Sequence, residues 1–242
     1  MLMHQLKTFD FLTGETIPVN KPYRWTSFDV VNKVRYTVKK HLGIPKLRIG
    51  HAGTLDPLAT GLLILCSGKN TKQIESIQEL EKEYSGIIQL GATTPSFDLE
   101  TGIDQTYPYE HISIENIQKA AGNLTGEICQ VPPVFSAIKI RGRRAFDFAR
   151  KNEELHLKAR NVTIRSFSIT YYDPPNVGFC IVCSKGTYIR SIARDLGIML
   201  NSGAYLKSLH RDRIGHFVSK EAFDFDALLN HIIEMGKEYS EL

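Results

Sequence analysis

Cysteine is sparse in this chain, four in 242 residues, and no histidine pair or second CxxC stands near any of them. These cysteines do not make a zinc finger or disulfide framework, and Cys66, Cys129, Cys180 and Cys183 read as buried free thiols, with zinc or redox chemistry the lesser alternative because Cys180 and Cys183 share a CxxC spacing. Long hydrophobic runs are missing as well: nothing approaches the roughly 20 apolar residues that a membrane-crossing helix needs. Met1 to Gly14 includes Lys7 and Asp10 and has no apolar segment of signal-peptide length, so a cytoplasmic location is expected. Internal repeats, low-complexity tracts and linker-like stretches are absent too, which excludes solenoids and disordered arrays. What remains is an ordinary globular composition, 42% hydrophobic, with ample apolar surface for a core.

The modest net charge of +4 conceals two stretches short of acid. Val30 to Ile49 carries Lys33, Arg35, Lys39, Lys40, Lys46 and Arg48 with no acidic residue. Lys139 to Arg165 carries nine basic residues, among them Arg141, Arg143, Arg144 and Arg150, against Asp147, Glu153 and Glu154. The rest of the chain is net acidic. Two basic patches on an acidic body suit a polyanion groove, because phosphate contacts and counterion release dominate nucleic-acid affinity; either run alone is equally a solvated helical face.

Hydrophobic spacing gives an alternating α and β pattern. Thr26 or Ser27 caps a helix whose apolar positions are Phe28, Val31, Val34, Val38 and Leu42, with Gly43 and Pro45 ending it. Leu62 to Cys66 and Tyr84 to Gly91 read as strands, Ser113 starts a helix to about Ala121, and Asn161 to Tyr172 pairs with Gly178 to Cys183 across Asp173-Pro174-Pro175-Asn176. Thr187 to Asn201 is helical, with Arg190 off its apolar stripe, and a last capped helix runs from Ser219 to about His231. A single domain with a mixed sheet is expected.

Within this pattern, Gly50 to Leu63 (GHAGTLDPLATGLL) sets one carboxylate, Asp56, in a tight loop between apolar segments. Pro57 biases Asp56 toward an extended backbone, and the glycines permit sharp turns and a close approach to a ligand. An isolated Asp-Pro is a common turn former, so the loop takes its meaning from its company.

That company is a set of segments in order: Asn20-Lys21-Pro22 with Thr26-Ser27, the Asp56 loop, Lys82-Glu83-Tyr84, Gln130-Val131-Pro132-Pro133 through Ser136-Ala137-Ile138-Lys139, Lys185-Gly186-Thr187-Tyr188-Ile189-Arg190, and Leu206 to Phe217. From about Val19 to Phe217 the chain resembles the TruB type of tRNA pseudouridine synthase, which isomerises a T-loop uridine, conventionally position 55, to pseudouridine. The resemblance implies an α+β fold, a mixed, largely antiparallel sheet flanked by helices, with an RNA-binding cleft. It implies Asp56 as nucleophile, Arg190 as the guanidinium pairing with that aspartate, and Tyr84 as the ring stacking on the target base. Tyr188 and Leu209 would line the base pocket and His51 would help hold everted nucleotides. Lys21 would support the catalytic loop or touch RNA. A clamp insertion at about 133–160 would bring Lys139, Arg141, Arg143 and Arg144 to phosphates.

No cofactor or metal is implied. The partner is tRNA through its T-arm, with no membrane and no obligate protein partner, and the protein is expected to act as a monomer. Arg24 stands where the family often has Gly and Phe146 where Tyr is common, and the chain ends about 25 residues after Phe217, so no separate C-terminal RNA-binding domain is expected. Other classes leave signatures of their own. A non-catalytic RNA chaperone would tolerate loss of Asp56, Tyr84 or Arg190, and all three are present. An aspartate-based phosphatase wants a second acid two residues on, where Leu58 stands. A guide-RNA-dependent relative is the nearest rival, and a missing RNA-binding domain does not favour it.

Overall fold

The apolar run at Leu62 to Cys66 is too hydrophobic for a strand with one wet face, and the fold covers it on both. In the computed structural model, which describes residues 8–136 and 157–240 together with 139–140, 142–145, 148 and 155, it forms strand β3 (Ala59–Ser67), buried along its length except at Thr60. Alternate side chains serve two cores. Leu63 and Leu65 join Val19, Val34, Val38, Leu228 and Ile232, while Leu62, Ile64 and Cys66 join Ala52, Ile77 and Ile214. Antiparallel β1 (Thr16–Lys21) sets Val19 opposite Leu63, and antiparallel β2 (Ile49–Ala52) sets His51 opposite Leu65.

Helix α1 (Ser27–Leu42) is bounded by the residues that the sequence nominates. Thr26 and Asp29 form a reciprocal capping box, and Gly43 closes the end at φ +66°. Its buried face is Ser27, Val30, Val31, Val34, Thr37 and Val38. Phe28, expected on the apolar stripe, is 62% exposed, because the inward face is centred on Ser27, Val30, Val31 and Val34 and leaves Phe28 at its margin. Helix α2 (Ile74–Glu79) covers the second core with Ile77.

These elements belong to one of two compact units, the chain up to Leu80 with everything from His210; the other is Glu81–Leu209. In the second unit β4 (Lys82–Leu90), β11 (Asn176–Cys183), β10 (Arg160–Asp173) and β7 (Gly126–Gln130) follow one another, each antiparallel to the next. Tyr84 stands opposite Ile181, and Val162 opposite Ile128. Short pairs β5 (Ala92–Thr93) with β6 (Gln105–Thr106), and β8 (Lys139–Ile140) with β9 (Arg143–Arg144), complete it. Helix α3 (Ile114–Asn123) starts at the capping box of Ser113 and Asn116 and packs on β10 and on α4 (Ile189–Met199). Strand β12 (Ala204–Ile214) contributes to both units, and its end pairs with β13 (Phe217–Val218) in the first. The architecture is α+β, a mixed, largely antiparallel sheet flanked by helices.

Two sequence expectations are corrected here. The last helix, α5, spans Phe225–Ser240 rather than starting at Ser219. Asp224 accepts from the Asp226 and Ala227 amides and caps it, whereas Ser219 is drawn into bonds with Asn20 and His210. Of the cysteines, all free, Cys66 and Cys183 are buried, Cys180 is half-buried and Cys129 is exposed; Cys129 lies on β7 at a position alternating outward.

Candidate active site

The first unit builds the Asp56 loop around two buried cations. Lys21, 1% exposed at the end of β1, donates its ammonium to the carbonyls of Pro22 (2.8 Å), Trp25 (2.6 Å) and Pro57 (3.2 Å). Arg211, also 1% exposed, donates Nε to the Leu62 carbonyl (2.7 Å) and its two terminal nitrogens to those of Gly53 (3.0 Å) and Thr54 (3.5 Å). Between them Ser27, at the start of α1, takes the Leu55 amide (2.9 Å) and returns its hydroxyl to the Leu55 carbonyl (3.2 Å). The backbone from Gly53 to Pro57 is therefore fixed residue by residue. The Asp56 side chain is left half-buried, while Leu55 before it is buried.

The cations act on one another and on the aspartate. Burial pushes the Lys21 ammonium down to about 8, the charge of Asp56 works against that shift, and Arg211 adds to it. His51, on β2, is pushed below its ordinary value first by burial and then by Arg211, against a bond with the Gly53 backbone. Its Nδ1 is buried without a hydrogen-bond partner among the described residues, so the ring is uncharged at neutral pH. Next to the loop, His210 spans Thr60 (2.9 Å) and Ser219 (3.0 Å), and Ser219 donates to Asn20 (2.7 Å).

Arg24 adopts φ +66°, a conformation that glycine takes more cheaply. Its amide donates to the Pro57 carbonyl at 2.8 Å.

The second unit holds Tyr84, Arg190, Tyr188 and Leu209. Tyr84 lies on β4, 9% exposed. Arg190, in the first turn of α4, is off the apolar stripe yet only 3% exposed. Its terminal nitrogens donate to the carbonyls of Ser96 (3.1 Å) and Phe135 (2.9 Å), and its Nε lies 3.6 Å from an Asp98 carboxylate oxygen. Asp98 is presented by a loop closed on itself: Thr94 and Ser96 donate to its carbonyl and its carboxylate takes the Glu100 amide. Tyr188 precedes α4, held at its backbone by Gln130 through bonds of 2.8 and 3.1 Å. Arg160 lies over the Tyr188 ring at 4.6 Å and donates to the Gly186 carbonyl. Leu209 is half-buried on β12.

Of the clamp, Arg143 is exposed and stacks on Phe148 at 4.2 Å, and Lys139 and Arg144 stand opposite each other in the β8–β9 register. Arg141, Phe146 and Arg150 lie outside the described residues. Sequence reasoning missed Arg211, Ser27 as a loop holder, His210 and Asp98. A buried arginine has no signature in a hydrophobic pattern; a hydroxyl capping a helix does, and Ser27 beside the cap was the available clue.

A family model described as TruB family pseudouridylate synthase (N terminal domain) matches residues 39–189. The tRNA pseudouridine synthase B of Phocaeicola vulgatus is 53% identical over 206 residues, covering 85% of this chain and 88% of that protein. The protein of that name from Parabacteroides distasonis is 47% identical over 234 residues, covering 95% and 99%. Among solved structures, a Cbf5–Nop10–Gar1 complex aligns with a TM-score of 0.69 at 24% identity, over 93% of this chain and 60% of the solved one. That likeness bears on the fold alone.

Proposed function

The chain belongs to the TruB family of pseudouridylate synthases, and from that premise we propose that it converts a T-loop uridine of tRNA, at the conventional position 55, to pseudouridine, with Asp56 as nucleophile after the base is flipped out. The reaction breaks the bond from N1 of the base to the sugar and forms one from C5. The C5 hydrogen leaves to water and N1 takes up a proton, so no redox partner is required. A covalent or ion-pair detour through one carboxylate suits such an exchange within a single nucleotide.

The observation that carries this reading is the contrast within the Asp56 loop, a backbone pinned by Lys21, Arg211 and Ser27 beneath a side chain left half-open. Preorganisation of this kind places a reacting group without loss of freedom at the moment of reaction. By the resemblance Arg190 is the guanidinium assigned to this aspartate, and within its own unit its position is fixed by two carbonyls and Asp98. Tyr84 stacks on the uracil, and Tyr188 and Leu209 bound the pocket. His51, uncharged, offers a ring surface to everted nucleotides rather than a phosphate contact. Extrusion from a stacked loop costs a few kcal/mol, which the rings and the basic clamp offset.

The test is release of tritium from tRNA carrying C5-tritiated uridine. Wild type should release label and form pseudouridine, and Asp56→Asn should lower the rate by at least about a thousandfold. Turnover of Asp56→Asn near the wild-type rate would refute the assignment.

A further inference from the structure

The exposed face of α1, which carries part of the first basic run, takes no part in the site described so far. Starting where Arg24 meets the Asp56 loop, it carries rings and cations in alternation. Tyr23 is 50%, Phe28 62% and Tyr36 58% exposed. Arg24 lies 5.6 Å from the Tyr23 ring and Lys33 6.0 Å from the Tyr36 ring. Two hollows flank the helix and share Lys33. One, about 450 Å³, is lined by Arg24, Trp25, Asp29, Asn32 and Lys33. The other, about 570 Å³, lies between α1 and α5, where Lys33, Tyr36 and Lys40 face Asn230 and one acid, Asp226.

We propose that the face of α1 bearing Lys33, Tyr36 and Lys40 is a second RNA-contacting surface, which stacks an unpaired base of the tRNA on Tyr36 and neutralises the flanking phosphates with Lys33 and Lys40. Spacing supports this. Positions 33, 36 and 40 recur at helical intervals and fall on one face. Aromatic planes flanked by cations are the arrangement that holds single-stranded nucleotides, since every base has a face to stack while the charges track the backbone. The hollow beside Tyr36 can admit a base, and Asn230 offers an amide to its edge. Among its lining groups Lys33 and Lys40 outnumber the lone acid, Asp226, which leaves the surface net positive and suited to phosphates. At 1.5 Å of rise per residue, positions 33 to 40 lie about 10 to 20 Å along α1 from Ser27 and the loop it holds. At that distance from the loop, the contact is assigned to RNA outside the T-arm.

The inference rests on tRNA being the substrate, and binding separates it from the catalytic reading. Equilibrium dissociation constants would be measured for full-length tRNA and for an isolated T-arm stem-loop, against wild type, Tyr36→Ala, Lys33→Ala with Lys40→Ala, and Tyr36→Phe. Full-length tRNA should bind at least about fivefold more weakly to Tyr36→Ala. The double lysine variant should flatten its salt dependence by one to about two units of slope. The stem-loop should bind all four proteins alike, and Tyr36→Phe, which keeps the ring, should match wild type. Equal losses on both RNAs, or no loss on full-length tRNA, would overturn the proposal, and the second result would turn the face over to a protein partner. Because binding is read without turnover, a wild type that binds tRNA and forms no pseudouridine would count against the catalytic reading alone.

Discussion

At the scale of single residues, Arg211 is the side chain on which the Asp56 loop most depends. Its fork reaches three carbonyls on two stretches of chain, Gly53 and Thr54 on one side of Asp56 and Leu62 on the other. A lysine has the charge and not the fork. Arg211→Lys should therefore strand at least one buried carbonyl and cost about 2 kcal/mol of stability, read by chemical denaturation. It should lower kcat more than it raises KM, because the loop is displaced while the RNA-binding surface stays. A KM effect with kcat unchanged would mean that Arg211 serves binding instead. Its neighbour in role, Lys21, could be suspected from sequence, since a lysine between Asn20 and Pro22 lacks a helical partner. Arg211 could not, because its worth comes entirely from carbonyls about 150 residues away in the chain. Asp98 was hidden for the same reason: the loop that turns it toward Arg190 is built from Thr94, Ser96 and Thr101 hydroxyls, which look like ordinary surface polarity in the sequence.

At the scale of elements, β3 and β12 meet so closely that one position tolerates only glycine. A Cβ at Gly61, where φ is +97°, would lie 2.5 Å from the Arg211 carbonyl oxygen, 2.7 Å from its amide and 2.9 Å from the His210 ring. Both the backbone conformation and the contact penalise Gly61→Ala, which should lose at least about 2 kcal/mol by denaturant unfolding. A loss below about 0.5 kcal/mol would show that the strands can part. The elements legible in advance were those with a local cause, α1 from Thr26 and Gly43, α3 from Ser113, β3 from its unbroken apolar run. Strand β12 reads poorly because its inward residues include Arg211 and its centre, Lys207 to Arg213, is mostly polar. The start of α5 was misplaced because Ser219 has the chemistry of a cap but finds Asn20 and His210 instead, nearly 200 residues away in the first case.

At the scale of the whole molecule, the buried ammonium of Lys21 ties stability to pH. Its folded value, about 8, lies below its ordinary 10.5, so folding disfavours the charged form. Below pH 8 both folded and unfolded chains hold the proton and the penalty is present in full. Between 8 and 10.5 the unfolded chain binds more protons, and stability rises with pH. Subtracting the curve of Lys21→Met from that of wild type isolates this contribution, which should grow by about 3 kcal/mol across the interval. A flat or falling difference would mean that burial does not outweigh the three carbonyl bonds and the charge of Asp56, which favour the ammonium.

The Arg211 contacts also order events during synthesis. The Asp56 loop is translated well before the guanidinium that clasps it, which follows 149 residues after Leu62, and Ser219 follows 199 residues after Asn20. Until those later segments emerge and dock, the Gly53 and Thr54 carbonyls lack the guanidinium and the Asp56 carboxylate has no fixed bearing. A nascent chain thus lacks the fixed Asp56 loop until the segment bearing Arg211 has emerged.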